Sequence, residues 1–164
     1  MQQGTPGAAR SRLKLKRILV TTDFSDESRK AFRYAAAFAE ELDADLDVVV
    51  VIEPATFMSG MESVPIAMDT AGLRAAAQKS LADWIRKELP APVRATPLVR
   101  EGKAFSEIVA AAEERGADMI VISTHGYTGL KHLFMGSTAE RVARHARCPV
   151  LIVREKEHEF VSPS

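Results

Sequence analysis

Gly126, Gly136 and Ser137 are the residues of this chain whose types and spacing best support chemistry. They fall in the stretch Ile120 to Thr138, where an apolar run ends at Ser123, a loop carries Gly126 and Gly129, and Gly136-Ser137-Thr138 opens a helical pattern. Glycines let backbone N–H groups approach a guest without a Cβ in the way. A helix start adds unpaired donors at the positive end of its dipole. The guest that suits this combination is an anion, above all a phosphate. Each charge-assisted bond to phosphate contributes about 1.5–3 kcal/mol, so three or four suffice for micromolar binding after the costs of association. Asp23, closing the first apolar run, is the acid that would stand nearby. A carboxylate repels a phosphate directly but can hold a sugar hydroxyl or a divalent cation bridging phosphates.

Other chemistries are excluded by spacing. The chain has no Gly-x-x-x-x-Gly-Lys-Ser/Thr, no Gly-x-Gly-x-x-Gly after its first strand, no Gly-x-Ser-x-Gly, no His-Glu-x-x-His and no paired cysteines. His125 and His132 flank the glycine loop without a carboxylate spaced to orient them, and are read as solvent-facing or capping residues. Lys131 is read as an exposed lysine.

The elements that must position these residues alternate along the chain. Ile18-Leu19-Val20 is a short buried strand, and Ser25, Ser28 and the acids Asp26-Glu27 mark a helix start. Ala31, Ala35, Phe38, Ala39 and Leu42 form the stripe of that helix. Leu46 to Ile52 is nearly continuous and β-branched, as a central strand covered on both faces would be. Glu53-Pro54 stops it. Residues 55–69 show no period, whereas Leu73 to Leu89 is helical again. Val93 to Val99 alternates loosely and suits an edge strand. Phe105, Ile108, Val109 and Ala112 give a third helix with Gly116 at its C′ position. Met119 to Ile122, the helix bearing Ala139, Val142 and Ala143, and Pro149 to Val153 complete the order.

Five strands alternating with four helices predict an open, doubly wound parallel sheet with helices on both faces. In such sheets ligands bind beyond the carboxyl ends of the strands, where strand order reverses. If strands one and four flank that point, Asp23 and the glycine loop meet. Residues 1–15 are expected to be a disordered basic arm, residues 16–154 a single domain, and 155–164 a frayed polar tail. At 164 residues a chain buries roughly 70% of its unfolded surface and requires no disulfide or structural metal. Lys and Arg number 22 against 22 Asp and Glu, which favours neither nucleic acid nor an anionic membrane. The single cysteine, Cys148, is read as a small buried hydrophobe and fits a cytoplasmic location. No apolar run approaches the ~20 residues of a membrane span. An apolar terminal strand, Val150 to Val153, is an association liability unless covered.

The sequence resembles a single-domain member of the universal stress protein family from Lys16 to Arg154. Its nucleotide-binding branch carries Gly, two residues, Gly, nine residues, Gly and Ser or Thr. Here Ser123-Thr-His-Gly126, nine residues and Gly136-Ser137 stand in that pattern, with Ser123 in place of the first glycine. Thr-Thr-Asp-Phe-Ser at 21–25, Gly-Ser-Thr-Ala-Glu-Arg-Val from 136 and Cys-Pro-Val-Leu-Ile-Val from 148 are similar to the family as well. The resemblance implies strand order 3-2-1-4-5, a homodimer through strand 150–153, and ATP or a related nucleotide (AMP or ADP), accompanied by Mg2+ or Mn2+, at the switch point. It places Asp23 near the ribose and metal with Thr22 beside it, and Val51 where a strand-two backbone meets the adenine. Gly126, Gly136, Ser137 and Thr138 form the phosphate cradle, and Ser123 stands on the ribose side. Met58, Met61 and Met68 are core residues by default, or part of a lid over the adenine. The function expected is a nucleotide-dependent regulatory module read by an unidentified protein partner. A slow metal-dependent ATP hydrolase and a nucleotide-free dimeric interaction protein with a vestigial site are the alternatives.

Overall fold

The computed structural model describes residues 14–53, 70–89, 93–124, 136–154, 156, 158, 160 and 161. Its elements are β1 (Arg17–Thr21), α1 (Asp26–Leu42), β2 (Asp45–Ile52), α2 (Thr70–Glu88), β3 (Ala95–Glu101), α3 (Ala104–Arg115), β4 (Met119–Ser123), α4 (Ser137–His145) and β5 (Val150–Val153). The five strands form one sheet in the order β3-β2-β1-β4-β5, with every neighbouring pair parallel. β1 and β4 are adjacent, Val20 lying opposite Val121. The chain winds one way from β1 to β3 and the other way from β4 to β5, so the reversal falls between β1 and β4.

Alternation along β1 assigns the faces. Ile18 and Val20 join Phe32, Ala35, Leu81 and Ile85 in a core under α1 and α2. Leu19 points the other way, with Val49, Ile120 and Ile122, into a core under α3 and α4 formed by Ile108, Ala112, Ala139 and Val142. β2 is buried along most of its length and β3 is the outer strand, its Pro97 tolerated because an edge can spare a ladder donor. β3 begins two residues later than the expected Val93 and runs to Glu101.

The helix ends follow local chemistry. Ser25 caps α1, its side chain accepting from the Ser28 amide at 3.2 Å. Gly116 ends α3 in the left-handed region at φ 63°, where its amide reaches the Ala112 and Glu113 carbonyls. Beyond β5, two apolar residues among the described ones reach α1 and the core beneath it, Phe160 while remaining exposed. Phe160 sets its ring edge-on to Tyr34 with centroids 4.9 Å apart, and Val161 packs against the core under α1 and α2. On the same helix, the buried Lys30 donates its ammonium to the Arg154 carbonyl at 3.0 Å.

At the amino ends of the strands sits a charge cluster. Asp47, fully buried in β2, takes Arg115 as a fork, Nε to Oδ2 at 2.9 Å and Nη2 to Oδ1 at 3.1 Å. Arg17 Nη1 lies 3.2 Å from the same carboxylate, and its Nη2 reaches Asp45 at 3.2 Å. The pair with Asp47 raises the Arg115 guanidinium above its ordinary range. Asp45 is held below the usual carboxylate range chiefly by its hydrogen bond from Arg94. Surface pairs such as Arg86–Asp83 and Arg100–Glu114 contribute only about 0–1 kcal/mol each. A fully buried aliphatic side chain contributes about 1.5–3 kcal/mol. The apolar layers therefore hold the sheet, and Asp47 is the ionic exception because its partners cannot be exchanged for water.

Candidate functional site

At the opposite, carboxyl ends of β1, β2 and β4 lies a cavity of about 510 Å³. Thr22, Asp23, Val51, Ser123, Gly136, Ser137 and Thr138 all line it. The fold thus brings together residues from four separate segments that the sequence singled out. Gly126 lies outside the described residues, as do His125, Lys131, His132 and the segment holding Met58, Met61 and Met68.

The wall from β1 is a tight turn. Thr22 continues the ladder by donating its amide to Val49 O at 2.9 Å. Its hydroxyl accepts from the Phe24 amide at 3.0 Å and lies 3.1 Å from Ser28 Oγ. Ser28 Oγ already donates to Ser25 O, so the Thr22 hydroxyl is the donor between them. That hydroxyl is consumed inside the turn, and Thr22 shapes the wall rather than offering a donor to a guest. Asp23 Oδ1 accepts from the Ser25 amide at 3.1 Å and from the Ser25 hydroxyl, which fixes the carboxylate at the cavity edge. Between them Phe24 takes a left-handed φ of 66°, a conformation costing a bulky residue of order 1–3 kcal/mol and found where a site requires it. Its ring meets Trp84 edge-on at 5.9 Å.

The wall from β4 is closed by one contact. Thr124 donates to Val153 O at 3.0 Å, and its carbonyl accepts the Gly136 amide at 2.8 Å. A Cβ on Gly136 would stand 2.5 Å from that carbonyl oxygen. Glycine is therefore required by the close approach, since its φ of −67° is open to any residue. Ser123 ends β4 with its backbone outside the left-handed region, so the strand geometry at this position makes no demand for glycine.

Gly136, not Ser137, is the N-cap of α4, and Ser137 is its first helical residue. A glycine cap supplies no side-chain acceptor, and the first backbone bond within the helix is Glu140 N to Gly136 O. The helix start opens on the cavity, and among the described residues no side chain caps its donors. The other two helix starts with described caps differ. Ser25 serves α1, and Glu53 Oε1 accepts the Ala104 amide of α3 at 2.7 Å. Of these three, α4 alone presents an open positive end, so an anion is best held there.

Sequence reasoning missed several lining residues: Glu53, Lys103, Phe105, Ile108, Thr124 and Arg141. Glu53 follows the carboxyl end of β2, the place where sites gather in this architecture, and that position was the available signal. Phe105 and Ile108 carry the same helical spacing whether they face core or cavity. Among the described residues no group of three or more His, Cys, Asp or Glu could hold a metal ion, and no helix is long and apolar enough to cross a membrane. Cys148 is half-buried rather than fully buried, and burial pushes its thiol above the ordinary value, which suits a packing residue better than a nucleophile.

A family model described as the Universal stress protein family matches residues 14–154. The universal stress protein MJ0531 of Methanocaldococcus jannaschii is 33% identical over 144 residues, covering 88% of this chain and 85% of the relative. Among solved structures, the universal stress protein UspA from Lactobacillus plantarum superposes with a TM-score of 0.72 at 24% identity, covering 87% of this chain and 99% of that one. A universal stress protein from Archaeoglobus fulgidus in complex with dAMP gives 0.57 at 22% identity, covering 86% and 99%. These last two likenesses show the fold. With the strand order, the closing contact at Gly136 and the family match in agreement, this chain belongs to the universal stress protein family.

Proposed function

We propose that this protein is an adenine-nucleotide-binding regulatory module that works as a homodimer in the cytoplasm. The observation that carries the reading is the open start of α4, set by the Gly136–Thr124 contact at one end of a cavity whose other walls are Asp23 and Val51. Ser137, Thr138 and the α4 amides take the phosphates, joined by Gly126 from the motif. Asp23 takes the ribose hydroxyls, and the Val51 backbone meets the base. A relative of the same fold in complex with dAMP supports an adenine ligand. ATP is the nucleotide we favour, with Mg2+ or Mn2+ held mainly by its phosphates, because the described residues supply Asp23 but no ready-made metal cage.

Thermal denaturation with ATP, AMP and GTP tests this. ATP at 100 times its dissociation constant should stabilise the fold by about 2.7 kcal/mol, a rise in Tm of roughly 5–10 °C. Asp23→Ala should retain the fold and lose most of that rise. No shift with any of the three nucleotides would refute nucleotide binding.

β5 supports the dimer. It is a sheet edge, and Val150, Leu151 and Ile152 are only half-buried, leaving an unpaired apolar strand to be covered. Ile152→Glu is expected to yield monomers in sedimentation velocity where the parent protein sediments as a dimer. Dimers persisting in the variant would move the interface elsewhere.

A further inference from the structure

Arg141 is the cavity-lining cation of α4 that the described residues leave without an ion pair. Arg144 pairs with Glu140 at 2.7 Å and Arg147 with Glu113 at 3.1 Å. Among the described residues Arg141 forms no ion pair. Its guanidinium instead rests over the Phe105 ring, 5.1 Å from the centroid, and both residues line the cavity.

Three facts make this placement informative. Arg141 follows Ser137 by four residues, which sets it on the same helix face one turn on, and helical side chains lean toward the N-terminus. The guanidinium is thereby directed along the turn that bears Ser137 and Thr138. A cation so near a helix start is unfavourable in the absence of an anion, because it meets the positive end of the dipole. Finally, a cation–aromatic contact at an exposed position contributes only about 0.5–1 kcal/mol, less than a charge-assisted bond to phosphate. Phe105 can hold the side chain ready and still release it.

We infer that Arg141 is a specificity-determining residue that reads the number of phosphates on the ligand, turning from Phe105 to the distal phosphate and so favouring nucleoside di- and triphosphates over monophosphates. This rests on the nucleotide reading above and adds which nucleotides the site prefers. Lys103, also on the cavity wall and without an ion pair among the described residues, stands before α3. Among the described residues that line the cavity, Arg141 is the cation borne by α4 itself.

The test is calorimetric titration of AMP, ADP and ATP into the full chain and into Arg141→Gln and Arg141→Lys. The parent protein should bind ATP more tightly than AMP. Arg141→Gln should weaken ATP about tenfold while AMP changes less than twofold, collapsing the preference, and Arg141→Lys should restore part of it. Because Arg141 is exposed and its contact with Phe105 is weak, the Tm without ligand should stay within about 4 °C of the parent in both variants, which separates misfolding from lost recognition. ATP affinity within twofold of the parent in Arg141→Gln, or equal losses for all three nucleotides, would overturn the inference while leaving nucleotide binding intact. A parent protein that binds none of them would overturn the nucleotide reading and this one together.

Discussion

Gly136→Ala is expected to abolish nucleotide binding and to lower the Tm by roughly 5–15 °C, from a loss of about 2–4 kcal/mol. The added methyl would sit 2.5 Å from the Thr124 carbonyl oxygen, and backbone on both sides must move to admit it. Movement breaks the 2.8 Å bond from the Gly136 amide to that carbonyl, the contact that aims the start of α4 into the cavity. The damage is steric rather than conformational. Gly116 provides the contrast: its left-handed φ of 63° penalises any side chain, yet a Cβ there meets nothing within 4 Å. Denaturation curves and ATP titrations of Gly136→Ala measure both effects. If the variant melts with the parent and binds ATP equally well, the close approach does not govern the site.

Asp47→Ala should be the most destabilising single change available outside the apolar core, costing about 3–5 kcal/mol and roughly 6–20 °C in Tm. The carboxylate is fully buried and serves Arg115 and Arg17 together, so its removal takes away the ion pair of Arg115 and leaves Arg17 with Asp45 alone. Loss of an exposed acid such as Asp83, which pairs with Arg86, sets the scale at about 0–1 kcal/mol. Urea denaturation of the two variants side by side gives the comparison. Equal midpoints would mean that water reaches the Asp47 pocket and that the pair behaves as a surface pair.

Much of the fold was legible because its signals are local. Ser25 with Asp26 and Glu27 announces a helix by capping chemistry, Gly116 ends one by its left-handed φ, and Leu46 to Ile52 declares a strand covered on both faces. Asp47 sits inside that same run, and its tolerance depends on Arg115, 68 residues away, a distance at which periodicity says nothing. The site divided in the same way. Asp23 and Gly136-Ser137 carry their chemistry in residue type and in position at element ends. Arg141 and Arg144 look alike as exposed helical cations, and only the placement of Phe105 and Glu140 around them tells a cavity-facing side chain from a surface pair. A hydroxyl residue such as Ser137 is the usual N-cap type. Gly136 holds that position in α4 because the carbonyl of Thr124 leaves no room for a side chain.

Asp47 lies at the amino ends of the strands, whereas Asp23, Glu53, Ser123 and Thr124 occupy the carboxyl ends. The same five strands are tied together by charge at one end and border a cavity at the other. Asp47→Ala should therefore loosen the sheet without touching a lining residue, whereas Gly136 couples fold and cavity because its close contact with Thr124 serves both.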